Sequence, residues 1–436
     1  MLNNLYNVVM PCTSSPQFPI HTTVTIPFDD LENQKLDLSK KIEEGFGRKG
    51  LGIISITNVP QYPVLRQNLL DLAPRLANLP DESKNELEDA NSRYTFGWSH
   101  GKEFLESGKP GNVQIFLIFE SNALFDEDSY TLQYFKTVNY INKKFQNFFV
   151  LICPYLDLLK GSFYANPIFD VSTDDESLKK KYIVPYFCSL HPFQFVKKLQ
   201  FSRYPSYCGS NIWPRESLPE LEPAFKVLGK LIHVVGMMLA YHCDKYVSKQ
   251  LDLDGSKSLH EILLRSRSQK GRLLYYYPSR ERNTSDAEST SSWCGWHTDH
   301  GILTGLTCAM YKINDTTVRA PETASGLYIR TRTNEEVKVF YGEDEIAYQI
   351  GEVSQILSNG ILCATPHCVR APSGSEARGV DRSTFALFMQ PNWDEQLNLS
   401  KVGNFHEELI PSNCIVSFGE YTEKLLGKYY PMNRIQ

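Results

Sequence analysis

Several features that would sort a chain of 436 residues at once are missing here. None of the ten cysteines (12, 153, 188, 208, 243, 294, 308, 363, 368 and 414) forms a C-x-x-C pair, which sets aside zinc ribbons and dithiol redox sites. Their irregular spacing suits free thiols in a reducing compartment. Charge bias is missing too: 45 Lys and Arg face 50 Asp and Glu, a net charge of −5. That gives no electrostatic reason to expect nucleic acid or an anionic membrane as partner. Long apolar runs are short: Phe148–Leu159 and Leu231–Cys243 both fall below the roughly 18 residues a membrane span needs. The first is interrupted by Pro154 and Asp157, and the second reads as a buried helix. The opening segment MLNNLYNVVMPCTSS has no basic stretch followed by an apolar core, so no secretory leader is expected. No internal repeat or low-complexity segment is present. The expectation is a soluble, cytoplasmic protein, with import into an organelle left open, with no nucleic acid and no membrane partner and with its oligomeric state open.

What is present changes texture along the chain. Residues 36–46 read as a helix ending in glycines, LGIISITNV (51–59) as a strand, and 63–79 as a helix with leucines at 65, 69, 72, 76 and 79 on one face. Asp81 looks like the cap of another short helix. A long helical pattern covers 221–250. From 271 onward, eight short runs are separated by turn residues: RLLYYYP, GILTGLTCAMY, SGLYIRT, EVKVFY, IAYQI, EVSQILS, GILCATPHCV and STFALFMQP. Ser358-Asn359-Gly360 reads as a hairpin turn between two of them. Eight short strands so spaced predict an all-β core with helical elaborations, a double-stranded β-helix or cupin-like jelly roll. It is preceded by an N-terminal α/β region and closed by a C-terminal helix over 415–429. The expected organisation is 1–110 N-terminal, 111–199 inserted, 200–270 helical support, 271–400 jelly-roll core and 401–436 terminal.

The chemistry sits in WHTDH (296–300) and ATPHCV. His297 and Asp299 are two apart, and on a strand such residues share a face. His300 adjoins the triplet, so either imidazole is available, and strand parity favours His297. His367 is the second histidine, on a later strand. Two imidazoles and one carboxylate on one side of an octahedral ion leave three positions open, the arrangement of non-haem Fe(II) oxygenases. A bidentate 2-oxo acid would take two of those positions and O₂ the third. A co-substrate carboxylate also needs a cation. Arg382 opens the run STFALFMQP, Thr384 shares its face, and a guanidinium fork matches a carboxylate in two places. Tyr277, before Pro278, is a third candidate donor.

The run from Arg272 to Asp394 resembles the isopenicillin-N-synthase-like family of 2-oxoglutarate- and Fe(II)-dependent dioxygenases. The likeness rests on the Tyr-Pro of LLYYYPS, on WHTDHGILTGLT, IGEVSQILSNG and ATPHCVRAP, and on Arg382-Ser383-Thr384. The resemblance implies His297, Asp299 and His367 as iron ligands, with Arg382, Thr384 and Tyr277 around 2-oxoglutarate. Two departures stand out. Tyr275 occupies the place of an asparagine that contacts the co-substrate, and the loop RAPSGSEARGVD is long. FGWSHGKE, KGSFYANP and RYPSYCGSNIWP further resemble an uncharacterised eukaryotic branch of this family, in which GKP leads almost directly into KGSFYANP. Residues 111–159 and 181–198 then read as insertions, either translated introns or a lineage-specific addition.

The expected reaction is oxidation of an unactivated C–H in a small molecule, with 2-oxoglutarate decarboxylated to succinate. GWSHGKE (97–103) and YCGSNIW (207–213) are expected to line the substrate mouth through Trp98, His100, Lys102 and Trp213; the competing reading makes the tryptophans packing aromatics and His100 a turn cap. The rival functions are a 2-oxoglutarate-independent Fe(II) oxidase and a non-catalytic jelly roll that binds a small molecule.

Overall fold

The strand Asp381–Met389 (DRSTFALFM) is buried along almost its whole length, so it must be covered on both faces. In the computed structural model one face meets helices and the other meets a second sheet. The structure describes residues 18–102, 115–118, 149–152, 160–170, 204, 206–250, 257–278, 292–321, 325–371, 378–402, 406, 409–411 and 413–429.

The strands are β1 (Ile20–Thr22), β2 (Val24–Pro27), β3 (Ile53–Thr57), β4 (Gly97–His100), β5 (Ile115–Ile118), β6 (Phe149–Ile152), β7 (Lys160–Ala165), β8 (Lys270–Tyr276), β9 (Ser292–His297), β10 (Leu303–Thr307), β11 (Met310–Ile313), β12 (Thr316–Val318), β13 (Gly326–Arg330), β14 (Glu336–Phe340), β15 (Ile346–Ile350), β16 (His367–Arg370) and β17 (Asp381–Met389). The major sheet runs β2-β3-β15-β10-β17-β8-β7-β4, with β11 also on β17 and β12 on β11. The minor sheet runs β1-β14-β13-β16-β9. Ile53 and Ala347 of the major sheet pack on Ile329, Val337 and Val339 of the minor one. Leu274 and Tyr276 likewise meet Trp293 across the gap. The core is the double-sheet jelly roll expected from the run of short strands, without a closed barrel. Strands β5 and β6 pair with each other; the other inserted stretches, including 181–198, lie outside the described residues.

The outer face of the major sheet is covered by helices. The longest, Leu221–Gln250, extends well beyond the apolar run 231–243. By length and composition it is apolar enough to cross a membrane, but 44% of its most apolar window is buried inside the fold. Its close approach to the sheet needs glycine on both sides. A Cβ on Gly236 would stand 2.4 Å from Met389 Sδ, and one on Gly305 would stand 2.3 Å from Ile232 Cγ2. The Tyr348 hydroxyl spans the same gap, donating to the Ile232 carbonyl at 2.6 Å.

Three local expectations are corrected. EVSQILS is a helix, Glu352–Leu357, not a strand. Its buried Val353 and Ile356 are three apart, a helical spacing. Ser358-Asn359-Gly360 is therefore a helix end and not a hairpin: Asn359 and Gly360 have φ of 52° and 78°, and Gly360 N–H returns to Gln355 O at 2.9 Å. Left-handed Asn-Gly serves both motifs. The predicted helix 63–79 is two helices, Tyr62–Leu70 and Leu72–Ala77, with Pro74 in the first turn of the second, where its missing N–H costs nothing.

Candidate metal and co-substrate site

His297 is the last residue of β9 and His367 the first of β16, and the two are paired in register. Their ring centroids are 4.2 Å apart. Asp299 lies just past the end of β9, so the irregular segment that follows the strand, and not strand parity, brings its carboxylate in. Asp299 Oδ1 stands 3.8 Å from His297 Nε2 and 3.9 Å from His367 Nε2. All three ligand atoms fall within 4.8 Å of one another. Ligand atoms on one octahedral face at about 2.0–2.2 Å from an ion stand about 3 Å apart, so the three would draw together by somewhat less than about 1 Å around it.

Both rings are held from behind, as ligating histidines require. His297 Nδ1–H donates to Gly295 O at 2.8 Å, which leaves Nε2 bare for a metal. His367 Nδ1 lies 2.6 Å from the Gln349 side-chain amide and 3.3 Å from the Thr365 carbonyl; ligation through Nε2 needs Nδ1–H, so the amide must turn its oxygen, otherwise buried without a partner, toward the ring. Burial, with the charge on His297 second, keeps His367 below the usual imidazole range and so in its neutral, ligating form. On His297 burial works the same way, but the Cys294 sulfur as thiolate, its Sγ 3.7 Å from Nδ1, and the Asp299 carboxylate outweigh it and raise the ring to about 9 in the metal-free protein, so a metal ion would displace a proton from Nε2. His300, the alternative imidazole, turns away and sits 3.1 Å from Glu352 Oε2.

Arg382 is 8% exposed and lies between the sheets. Its guanidinium carbon stands 4.7 Å from the Tyr276 ring and 5.3 Å from the Trp293 ring. Its Nε and Nη1 are buried without a hydrogen-bond partner. Buried guanidinium nitrogens left open are costly unless a ligand fills them, and a carboxylate is the group whose geometry fits. The residues present therefore fit both an iron ion and the far carboxylate of 2-oxoglutarate.

The other predicted contacts are placed differently. Thr384 donates its hydroxyl to the Thr307 carbonyl at 3.1 Å. Tyr277 is not brought to Arg382: its hydroxyl points to the Ala77 carbonyl, and its ring lies 5.0 Å from His100. The register explains this, because Arg382 lies opposite Tyr276 across the ladder, and cross-strand partners share a face. Tyr275 faces the helices with Tyr277 and donates to Asp381 at 3.2 Å. Trp98 and His100 pair with Phe163 and Gly161 on that same outer face. The Trp98 ring covers Gly161. Trp213 packs 5.6 Å from Phe163 and 5.4 Å from Phe225, with Nε1 on Asp170. Lys102 is paired with Glu88 at 2.9 Å. None of these four reaches the space between the sheets. The inner face of β7 and β8 carries Lys160, Ser162 and Arg272 instead, with Arg272 anchored on Ser162 Oγ at 2.8 and 3.0 Å. The charges of Lys160 and Arg272 both act on Cys294. Cys294, Gln349, Tyr276 and this basic wall carry no local motif, so only strand pairing reveals them.

No protein-family model matches the sequence, and no curated protein matches it. Solved structures do match. A full-length Neurospora crassa protein in complex with alpha-KG aligns with a TM-score of 0.55 at 15% identity, over 93% of this chain and 96% of that one. A 2OG-Fe(II) oxygenase family protein from Caulobacter crescentus aligns with a TM-score of 0.55 at 15% identity, over 93% and 98%. JOX2 in complex with 2OG, Fe and JA aligns with a TM-score of 0.52 at 14% identity, over 93% and 85%. By its architecture this chain has the fold of the 2-oxoglutarate- and Fe(II)-dependent oxygenases.

Proposed function

We propose that the chain is a 2-oxoglutarate- and Fe(II)-dependent oxygenase of a small molecule. The observation that carries this is a pair of features in one inter-sheet space: an open three-ligand set, and a buried arginine with two unfilled nitrogens. When bound, Fe(II), 2-oxoglutarate and O₂ would together supply the oxidising power for a C–H bond, with succinate and CO₂ as co-products. The protein's residues then orient and exclude. His297, Asp299 and His367 would hold the metal. Arg382, stacked between Tyr276 and Trp293, grips the far carboxylate and so sets the direction of the co-substrate. The apolar walls around Leu274, Trp293 and Val369 exclude water. The wall of Lys160, Ser162 and Arg272 is the proposed substrate side, in place of Trp98, His100, Lys102 and Trp213.

The same fold without 2-oxoglutarate would have no use for a buried guanidinium fork, and a non-catalytic binding module would have none for two back-held imidazoles converging on one carboxylate. The test is stoichiometric release of succinate from 2-oxoglutarate by purified protein with Fe(II) and O₂, in slow uncoupled turnover. His367→Ala should abolish it. Turnover that persists in that variant would contradict the assignment.

A further inference from the structure

We propose that Glu352 is a positioning residue for the metal centre: it fixes the loop Thr298–Gly301, and with it the Asp299 carboxylate, and makes the C-terminal segment part of that device. This rests on reading His297, Asp299 and His367 as a metal centre. Glu352 is fully buried, and four donors converge on its two oxygens. Oε1 accepts from Thr298 Oγ1 and from His406 Nε2, the latter at 3.0 Å. Oε2 accepts from His300 Nδ1 at 3.1 Å and from the Tyr421 hydroxyl at 2.6 Å. Thr298 and His300 are the residues on either side of Asp299.

The backbone closes the same joint. Glu352 N–H donates to Asp299 O at 2.8 Å, Val353 N–H to Gly301 O at 3.1 Å, and Gly351 N–H to Ile302 O at 2.9 Å. Gly351 permits this approach, since a Cβ there would stand 2.1 Å from Gly301 O. An ionised carboxylate only accepts, so both imidazoles must present N–H to it. The cluster is a filled hydrogen-bond network, not an open cage. His406 and Tyr421 reach it from the far end of the chain; Tyr421 lies on the helix Phe418–Tyr429. Without Glu352, the loop bearing the sole carboxylate ligand loses its side-chain anchors on both flanks of Asp299.

The test uses Co(II) as probe on the full-length protein and compares Glu352→Gln and Tyr421→Phe with the parent. Affinity is read by calorimetry, ligand geometry by the visible d–d spectrum, and folding by thermal melting of the metal-free proteins. The expected result is a loss of Co(II) affinity of about tenfold or more in Glu352→Gln, with an altered spectrum, and a smaller loss in the same direction in Tyr421→Phe. A merely structural role would lower the melting temperature while folded variants kept parental affinity and spectrum, and that result overturns the proposal. If Glu352→Gln does not fold, Tyr421→Phe decides. A parent protein that takes up no Co(II) would instead sink the metal reading itself, and this proposal with it.

Discussion

The guanidinium of Arg382 is where one side chain's chemistry is most exposed to test. Its charge alone does not explain its place; a lysine would bring that too. What lysine cannot bring is the planar fork stacked over Tyr276. Arg382→Lys should therefore weaken 2-oxoglutarate binding by about 1.5–3 kcal/mol, roughly tenfold to a hundredfold, the range of a charge-assisted hydrogen bond. A titration of the metal-loaded protein would measure it, and unchanged affinity would remove Arg382 from the site. Tyr277→Phe should leave the same affinity within about twofold, since that hydroxyl faces Ala77, whereas a tenfold loss would return Tyr277 to the pocket. His297, Asp299, His367 and Arg382 could be picked from the sequence as candidates because each sits in a short motif whose residue types have few other uses. It did not reveal which of three successive tyrosines faces inward, because that depends on a register set by β17 and β7.

At the scale of elements, alternation and turn chemistry made most of the jelly-roll strands readable. The failure at EVSQILS has a physical cause: six residues with apolar positions three apart, ending in Asn-Gly, satisfy strand and helix patterns almost equally. Tertiary context decides it, since Glu352 must point into the Thr298–His300 loop. For the substrate-mouth candidates, side-chain direction favours the packing alternative. Gly97–His100 is an edge strand whose tryptophan and histidine face the helices. The tightest contact between elements is that of the long helix on the major sheet. Gly236→Ala should cost about 1–3 kcal/mol through overpacking against Met389 and Tyr348. The melting temperature should fall while metal affinity in the folded protein holds; no change in melting would mean the helix sits further from the sheet than described.

For the whole molecule, acid stability offers a check on the helical layer. Burial pushes His233 down to about 4. Between its ordinary value near 6.5 and that figure, the unfolded chain takes up a proton that the folded one refuses. The stability this group contributes is thus complete above about pH 6.5 and is lost as pH falls toward 4. Chemical denaturation at pH 7 and pH 5 should show the loss, and His233→Phe should shrink the difference; an equal difference in both proteins would place His233 in water. The central claim concerns the space between the two sheets, and one anaerobic experiment reaches it directly. Fe(II) and then 2-oxoglutarate are added to the purified protein, and the visible spectrum is followed. A weak charge-transfer band that saturates at one equivalent of each, and is absent from Asp299→Ala, is the predicted result. A parent protein that binds Fe(II) without developing the band, or whose band survives in Asp299→Ala, would contradict the account.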